Sequence, residues 1–380
     1  MKILFFVESQ VLGSQVMGHA RIVEAVQLAV DDSAGDELKT VGFGPTGRLA
    51  SRFIGDVRGL ARLDADFQQT RWHVVNSLRA RRLIQAALAS YPADVVGCVS
   101  HSVSLALGDV VDPRPLVLSV DVAMWEWRQM GIWRRVRPWS RGFISASLLL
   151  ERRALERAAL VVAMTQWSKQ GVVRRAPTAR VVVLHPGVDL ELYHPAAVRS
   201  PRQRPRVLFV GGRFREKGGQ DLLRAVEPLL GHDLELDVVT PEPITEHVGL
   251  RHLRDPSREE LAERYRQADL LVLPTYGDAV PLTVVEAMAS GTPVIATPVG
   301  AIPELLNGGG GVLVPVGSPD ALRQAITRLL GDDAGRTEMG QAGRATCEER
   351  YDARRQNALF LEHMHRLVAS PSLGAPAGRS

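Results

Sequence analysis

From residue 3 to beyond residue 290 the chain alternates short apolar runs with stretches of helical spacing. Residues 3–7, 94–99, 116–120, 160–164 and 180–184 read as buried strands, with helical patterns over 20–30 and 150–158 between them. The same alternation restarts at 207–210 and continues through strands at 234–239, 270–273 and 293–296, with helices starting near Gln220, Ser257 and Pro281. Strand and helix in turn predict a parallel, doubly wound α/β sheet. The pattern breaks once, over 185–206, where four prolines and four arginines stand with little periodicity, the mark of a linker.

A chain of 380 residues exceeds what one hydrophobic core serves, so this break predicts two Rossmann-like domains. They are expected at 1–190 and 200–345, with a hinge near 186–205. A C-terminal helix over 346–368 is expected to pack back toward the first domain, and 369–380 to form a disordered tail. Ligands of such sheets bind in the crevice outside the carboxyl ends of the strands. Net charge is +4, which favours anionic ligands without selecting among them. Two distant cysteines, Cys98 and Cys347, supply neither a disulfide framework nor a metal cluster and fit a reducing compartment. The opening MKILFFVES is too short for a secretory core and reads as a strand. No run approaches the ~18 apolar residues of a membrane span. A cytoplasmic protein is expected.

Two carboxylates, Asp278 and Glu286, stand eight positions apart in DAVPLTVVE. Asp278 follows the strand at 270–273, Pro281 suits the first position of a helix, and Glu286 falls on its second turn. Gly291 suits the residue beyond its C-cap. The N–H groups near Leu282 and Thr283 then make an anion site, with a carboxylate on either side to accept bonds from hydroxyls. That set suits a nucleotide sugar: Asp278 on sugar hydroxyls, the helix start on the diphosphate, Glu286 on ribose. Taken alone, the pair reads rather as a loop acid and a surface helix acid. Arg213 and Lys217, in GGRFREKGG after the strand at 207–210, add cations suited to phosphate oxygens, although a lone RxxxK would read as a solvated loop.

GGRFREKGGQDLLRA, DLLVLPTYGDAVPLTVVEAMASGTPVIATPVGAIPELL, the LVP turn at 313–315 and VVVLHPGVDLELYHP together resemble the family 4 glycosyltransferases, retaining enzymes of GT-B fold. The resemblance covers nearly the whole chain, most strongly 160–330 and most weakly 31–90. It implies that Arg213 and Lys217 hold the donor diphosphate, Asp278 the sugar hydroxyls and Glu286 the ribose. Asp278 replaces a usual Glu, shortening reach by one methylene. The resemblance matches Gly18 and His19 to a loop beside the donor phosphates. It matches Asp121 to a position near the transferred sugar where many members carry His, and a strand-end cap explains Asp121 equally well. It also makes the first domain the acceptor domain.

GSQVMGH at 13–19 has the glycines of a phosphate loop without its Lys-Ser/Thr. GxGxxG is absent from the strand–helix turns, so a dehydrogenase is disfavoured. Asp64-Ala65-Asp66 imitates a metal-binding DxD in a polar stretch with no strand before it, and the ten His show no zinc spacing. His363 and His365 read as solvated. The segment 124–143 holds four of six Trp and five Arg against one Glu. It reads as an acceptor surface, as a loop whose Trp fill the core, or as peripheral contact with a membrane; nucleic acid is disfavoured.

The chain is therefore expected to be a metal-independent, retaining glycosyltransferase. It should use a UDP- or GDP-sugar as co-substrate, no other cofactor, and a small-molecule, glycan or lipid-linked acceptor. The alternatives are a non-catalytic nucleotide-sugar binder or inactive subunit, and a GT-B epimerase or phosphorylase.

Overall fold

The computed structural model describes residues 1–7, 26–33, 35–43, 68–130, 141–197 and 203–370. Expectations that fall on Gly18 and His19, on 20–25, on Asp64 and Asp66, on 131–140 and on the tail 371–380 lie outside the described residues. Two compact units emerge: Met1–His185 with Arg354–Ser380, and Pro186–Ala353.

Unit 1 is a six-stranded parallel sheet: β1 (Lys2–Val7), β2 (Glu37–Gly42), β3 (Val95–Cys98), β4 (Leu116–Val120), β5 (Leu160–Ala163) and β6 (Val181–Val183). Its order is β2-β1-β3-β4-β5-β6. Successive residues of β1 feed opposite cores, as strand geometry requires. Leu4 and Phe6 join Ile84, Leu118 and Leu155 on one face; Ile3, Phe5 and Val7 join Phe360, Leu361 and Met364 on the other. The first face is covered by helices α1 (Gln68–Ser90) and α3 (Arg141–Arg157). The second is covered by the helical residues 26–31 and by the last helix, α11 (Ala353–Ala369), where Phe360 packs edge-to-face on Phe5 at 6.1 Å. Each such side chain contributes roughly 1.5–3 kcal/mol of burial. The chain thus leaves unit 1 after His185 and returns to cover a sheet face that would otherwise be wet.

Two smaller helices complete unit 1: α2 (Met124–Gln129) and α4 (Gln166–Arg175). Trp125 lies under the Arg175 guanidinium at 4.5 Å, and Glu126 faces Arg174 at 3.7 Å. Residues 124–129 of the Trp/Arg segment therefore form a short helix docked by cation–π and ionic contacts, and 141–143 begin α3. His365 is not simply solvated: it meets Asp36 at 2.9 Å.

Unit 2 is a second parallel sheet, β7 (Arg206–Val210), β8 (Glu235–Val239), β9 (Leu250–Leu253), β10 (Leu270–Leu273), β11 (Val294–Ala296) and β12 (Gly311–Leu313), ordered β12-β11-β10-β7-β8-β9. Its helices are α5 (Gly219–Val226), α6 (Arg258–Gln267), α7 (Leu282–Ala289), α8 (Ile302–Leu305), α9 (Pro319–Leu330) and α10 (Asp333–Arg350). α6 opens on a full capping box between Ser257 and Glu260. Pro281 is the N-cap of α7, one position earlier than the sequence suggests, because its ψ of 106° is still extended. Gly291 takes the expected left-handed conformation after α7, at φ 67°.

Candidate active site

In unit 2 the strands built from β7 run outward in both directions, β8 and β9 to one side, β10 and β11 to the other. The reversal falls between β7 and β10, which pair in register at Leu270–Val207 and Leu271–Leu208. Loops leaving the carboxyl ends of two such strands diverge and leave a crevice. Arg213 and Lys217 stand on the first loop, Asp278 on the second.

The two loops are laced together. The Tyr276 amide donates to the Glu216 carbonyl at 3.0 Å. The Tyr276 hydroxyl donates to Asp221, and that bond to a carboxylate raises the phenol's pKa. Gly218 sits at φ +78°, where a Cβ would stand 2.0 Å from the Pro274 carbonyl oxygen. A third loop, after β11, closes on the second. Gly300 has φ +57° and would place a Cβ 2.0 Å from the Asp278 carbonyl oxygen, while the Ala301 amide donates to Ala279 at 2.9 Å. These positions tolerate only glycine without strain. They are framework positions of these loops that sequence reasoning missed, signalled only by glycines in EKGG and PVGA.

On this frame the Lys217 ammonium pairs directly with the Asp278 carboxylate, each side chain 17 % exposed. Arg213 pairs with Glu216 at 2.7 Å and stays half-exposed. Glu242, from the loop after β8, accepts from the Phe214 amide at 3.2 Å and steadies the basic loop from its other flank. Leu282 and Thr283 begin α7, whose start has no side-chain cap. Glu286 is buried at 2 % exposure and accepts from the Tyr265 hydroxyl of α6 at 2.9 Å. The sequence-predicted residues of unit 2 thus gather at one edge of one sheet, with Glu286 beneath the surface.

In unit 1 the corresponding reversal lies between β1 and β3. Asp121 follows β4, where its Oδ1 accepts from the Val122 amide at 2.8 Å and its carbonyl accepts from the Ser168 hydroxyl. Nearby is a pair the sequence did not reveal, His101 on Glu151 at 2.9 Å, with both side chains buried. Among the described residues no group of three or more His, Cys, Asp or Glu is placed to hold a metal ion.

Residues 204–332 match the family described as Glycosyl transferases group 1. That segment is similar to a group 1 glycosyltransferase domain. A D-inositol 3-phosphate glycosyltransferase of Corynebacterium diphtheriae is 33 % identical over 229 residues, 52 % of this chain and 54 % of that protein. The match therefore spans about half the length of the curated relatives. Among solved structures, a sucrose-phosphate synthase from Thermosynechococcus elongatus superposes with a TM-score of 0.72 at 19 % identity, covering 97 % of this chain and 99 % of that one. Anabaena HepE in complex with UDP-glucose superposes with a TM-score of 0.68 at 16 % identity, covering 97 % and 100 %. The fold is that of the GT-B glycosyltransferases, two doubly wound α/β units. The matched segment lies within unit 2, and the loops that carry Arg213, Lys217 and Asp278 lie inside it.

Proposed function

We propose that this chain transfers a sugar from a nucleotide diphosphate sugar to a hydroxyl acceptor, with retention of anomeric configuration and without a metal ion. The observation that carries the reading is the Lys217–Asp278 pair spanning the switch point of unit 2, beside Arg213 and the uncapped start of α7. The pair puts a cation and a hydroxyl acceptor within one side chain's reach of each other, as a sugar diphosphate requires. Lys217 and Arg213 offset the charge that grows on the departing diphosphate, and Asp278 orients the sugar through its hydroxyls. Glu286 is the proposed ribose partner. Its burial sets a condition: the ribose must lie directly on the surface of α7.

In this reading the bond from the anomeric carbon to the diphosphate oxygen breaks, and the bond to the acceptor oxygen forms on the same face. The acceptor's proton passes to the leaving diphosphate. The chain's residues position and stabilise; none is asked to become a covalent nucleophile. Cations in place of a metal ion are the reason no metal is invoked. Gly18, His19 and Asp121 are proposed as further donor and sugar contacts. A UDP-sugar is the proposed donor, supported by the fold shared with a protein that binds UDP-glucose. A phosphorylated polyol or sugar is the proposed acceptor, supported by the names of the relatives and the net charge of +4. We place the reaction in the cytoplasm; among the described residues no helix is long and apolar enough to cross a membrane.

The test is a thermal-shift and isotope-labelled turnover screen of UDP-, GDP-, ADP- and dTDP-sugars against D-inositol 3-phosphate and glucose 6-phosphate. Wild type and Glu286→Ala are run side by side. Stabilisation of the wild type by one donor, lost in Glu286→Ala, with nucleotide release that depends on acceptor, supports the transferase. Binding without turnover would favour a nucleotide-sugar binder. Nucleotide release without acceptor would favour an epimerase or a hydrolytic activity. No binding of any donor would overturn the reading.

A further inference from the structure

We propose that Glu151 is a positioning residue for the loop that carries Asp121. Its Oε1 accepts from the His101 imidazole at 2.9 Å and from the Met124 amide at 2.7 Å. His101 opens the turn after β3, and Met124 is the first residue of α2, just after β4. One carboxylate oxygen, reaching in from α3, therefore ties the carboxyl ends of two neighbouring strands together. Because a carboxylate only accepts, the His101 Nε2 must carry the proton.

The loop is held at its other end as well. Ser168, in the first turn of α4, donates its hydroxyl to the Asp121 carbonyl, and its own amide is capped by Thr165 at 3.0 Å. Residues 121–124 are thus pinned at both ends, by α4 at Asp121 and by α3 at Met124. Within them the Asp121 carboxylate is bonded to the Val122 amide, so its direction follows the loop's conformation.

Glu151 is 0 % exposed, and α3 offers an apolar neighbourhood, Leu155 at 0 % and Ala154 at 7 %. Burying a carboxylate there gives little stability over a well-packed apolar side chain, because desolvation offsets the attraction. What an apolar residue cannot do is accept from His101 and Met124 at once. The gain is geometric: the turn after β3 and the loop after β4 share one register. The consequence for catalysis rests on the proposed contact between Asp121 and the sugar or acceptor; the positioning itself does not.

Hydrogen–deuterium exchange of the full chain tests this, comparing wild type, Glu151→Gln, Glu151→Leu and His101→Leu. In Glu151→Leu, amides of residues 122–129 are expected to exchange about tenfold faster, the cost of one charge-assisted bond, while β1 and β4 keep their protection. Glu151→Gln retains an acceptor oxygen and should restore protection to within about twofold. His101→Leu, which has no donor, should loosen residues 101–104 while Glu151 still holds Met124, which keeps the test valid if Glu151→Leu does not fold. Unchanged exchange over 122–129 in Glu151→Leu, equal loosening in Glu151→Gln and Glu151→Leu, or a rise spread over the whole unit would overturn the proposal. If wild type transfers sugar to D-inositol 3-phosphate, Glu151→Leu should lower kcat/KM for that transfer several-fold more than Glu151→Gln does. Failure of wild type to transfer counts against the glycosyltransferase reading alone, since the exchange pattern is read without substrate.

Discussion

At the switch point of unit 2, a lysine and an aspartate 61 positions apart pair across two loops, each side chain 17 % exposed. On the carboxyl edge of unit 1, a histidine and a glutamate 50 positions apart pair beneath the surface, at 6 % and 0 %. The first pair ties two neighbouring strand ends directly, and the second does so through the further bond from the Met124 amide to Glu151. A partly exposed pair can exchange its partner for a ligand's charge at modest cost, because water already screens part of the attraction. A fully buried pair cannot be opened without stranding a charge. The difference suits the edge of unit 2 to exchanging a partner for a ligand's charge, and the His101–Glu151 pair of unit 1 to holding fixed geometry.

The largest expected effect breaks the first half of that comparison. Arg213→Ala or Lys217→Ala should each lower kcat by ~10²-fold, by analogy with losing one preorganised charge donor, with little change in Tm. Unchanged turnover in both variants would mean that the exposed pair is only a surface ion pair. Next comes the frame that presents Asp278. Gly300→Ala forces a side chain into a left-handed backbone and onto the Asp278 carbonyl, so it should cost about 1–3 kcal/mol in chemical denaturation and weaken donor binding. Gly212→Ala, in the basic loop but with open space around its Cα, should stay within about 0.5 kcal/mol. Equal effects in the two would show that the loops are not locked as described.

The buried edge makes a prediction about pH. His73, on α1, is held neutral by burial, with the charge of nearby His101 adding to the effect, and its pKa is pushed down to about 3. The unfolded chain, with an ordinary histidine, takes up the proton first as pH falls. Stability should therefore drop from near pH 6.5 downward toward pH 3, with a slope approaching about 1.4 kcal/mol per pH unit for this one proton. Urea titrations of His73→Leu between pH 7 and pH 5 should show a shallower loss; identical slopes would remove His73 as the cause. The smallest effect sharpens the role of Glu286. Tyr265→Phe removes the hydroxyl that Glu286 accepts from and should cost about 1 kcal/mol in stability. A ribose contact at Glu286 predicts weaker donor binding in Tyr265→Phe as well; a purely internal bond predicts no change there.

Much of the fold was legible. The strands expected at 116–120 and 270–273 lie where β4 and β10 lie, because a strand buried on both faces must be an unbroken apolar run. β2, ELKTVG, was not legible: it is an edge strand with no fully buried residue, and its sequence carries no apolar run. Six of the proposed site residues of unit 2 fall in two short segments, 213–217 and 278–286, so they could be found by reading along the chain. Glu151 could not, since ERRALER reads as a solvated charged face and only the packing of α3 turns that glutamate inward.

The sequence by itself determined the alternation of strand and helix, the break between two such runs and the residues clustered after β7 and β10. These follow from local rules of periodicity, caps and turns, which act over a few residues. Tertiary structure alone decided that Lys217 meets Asp278, that Glu286 lies under Tyr265, and that Glu151 binds His101 and Met124. It also decided which side chains of α11 meet the sheet of unit 1, with Phe360 on Phe5. These contacts join residues tens to hundreds of positions apart, and strand order with the burial it produces, rather than any local preference, brings them together.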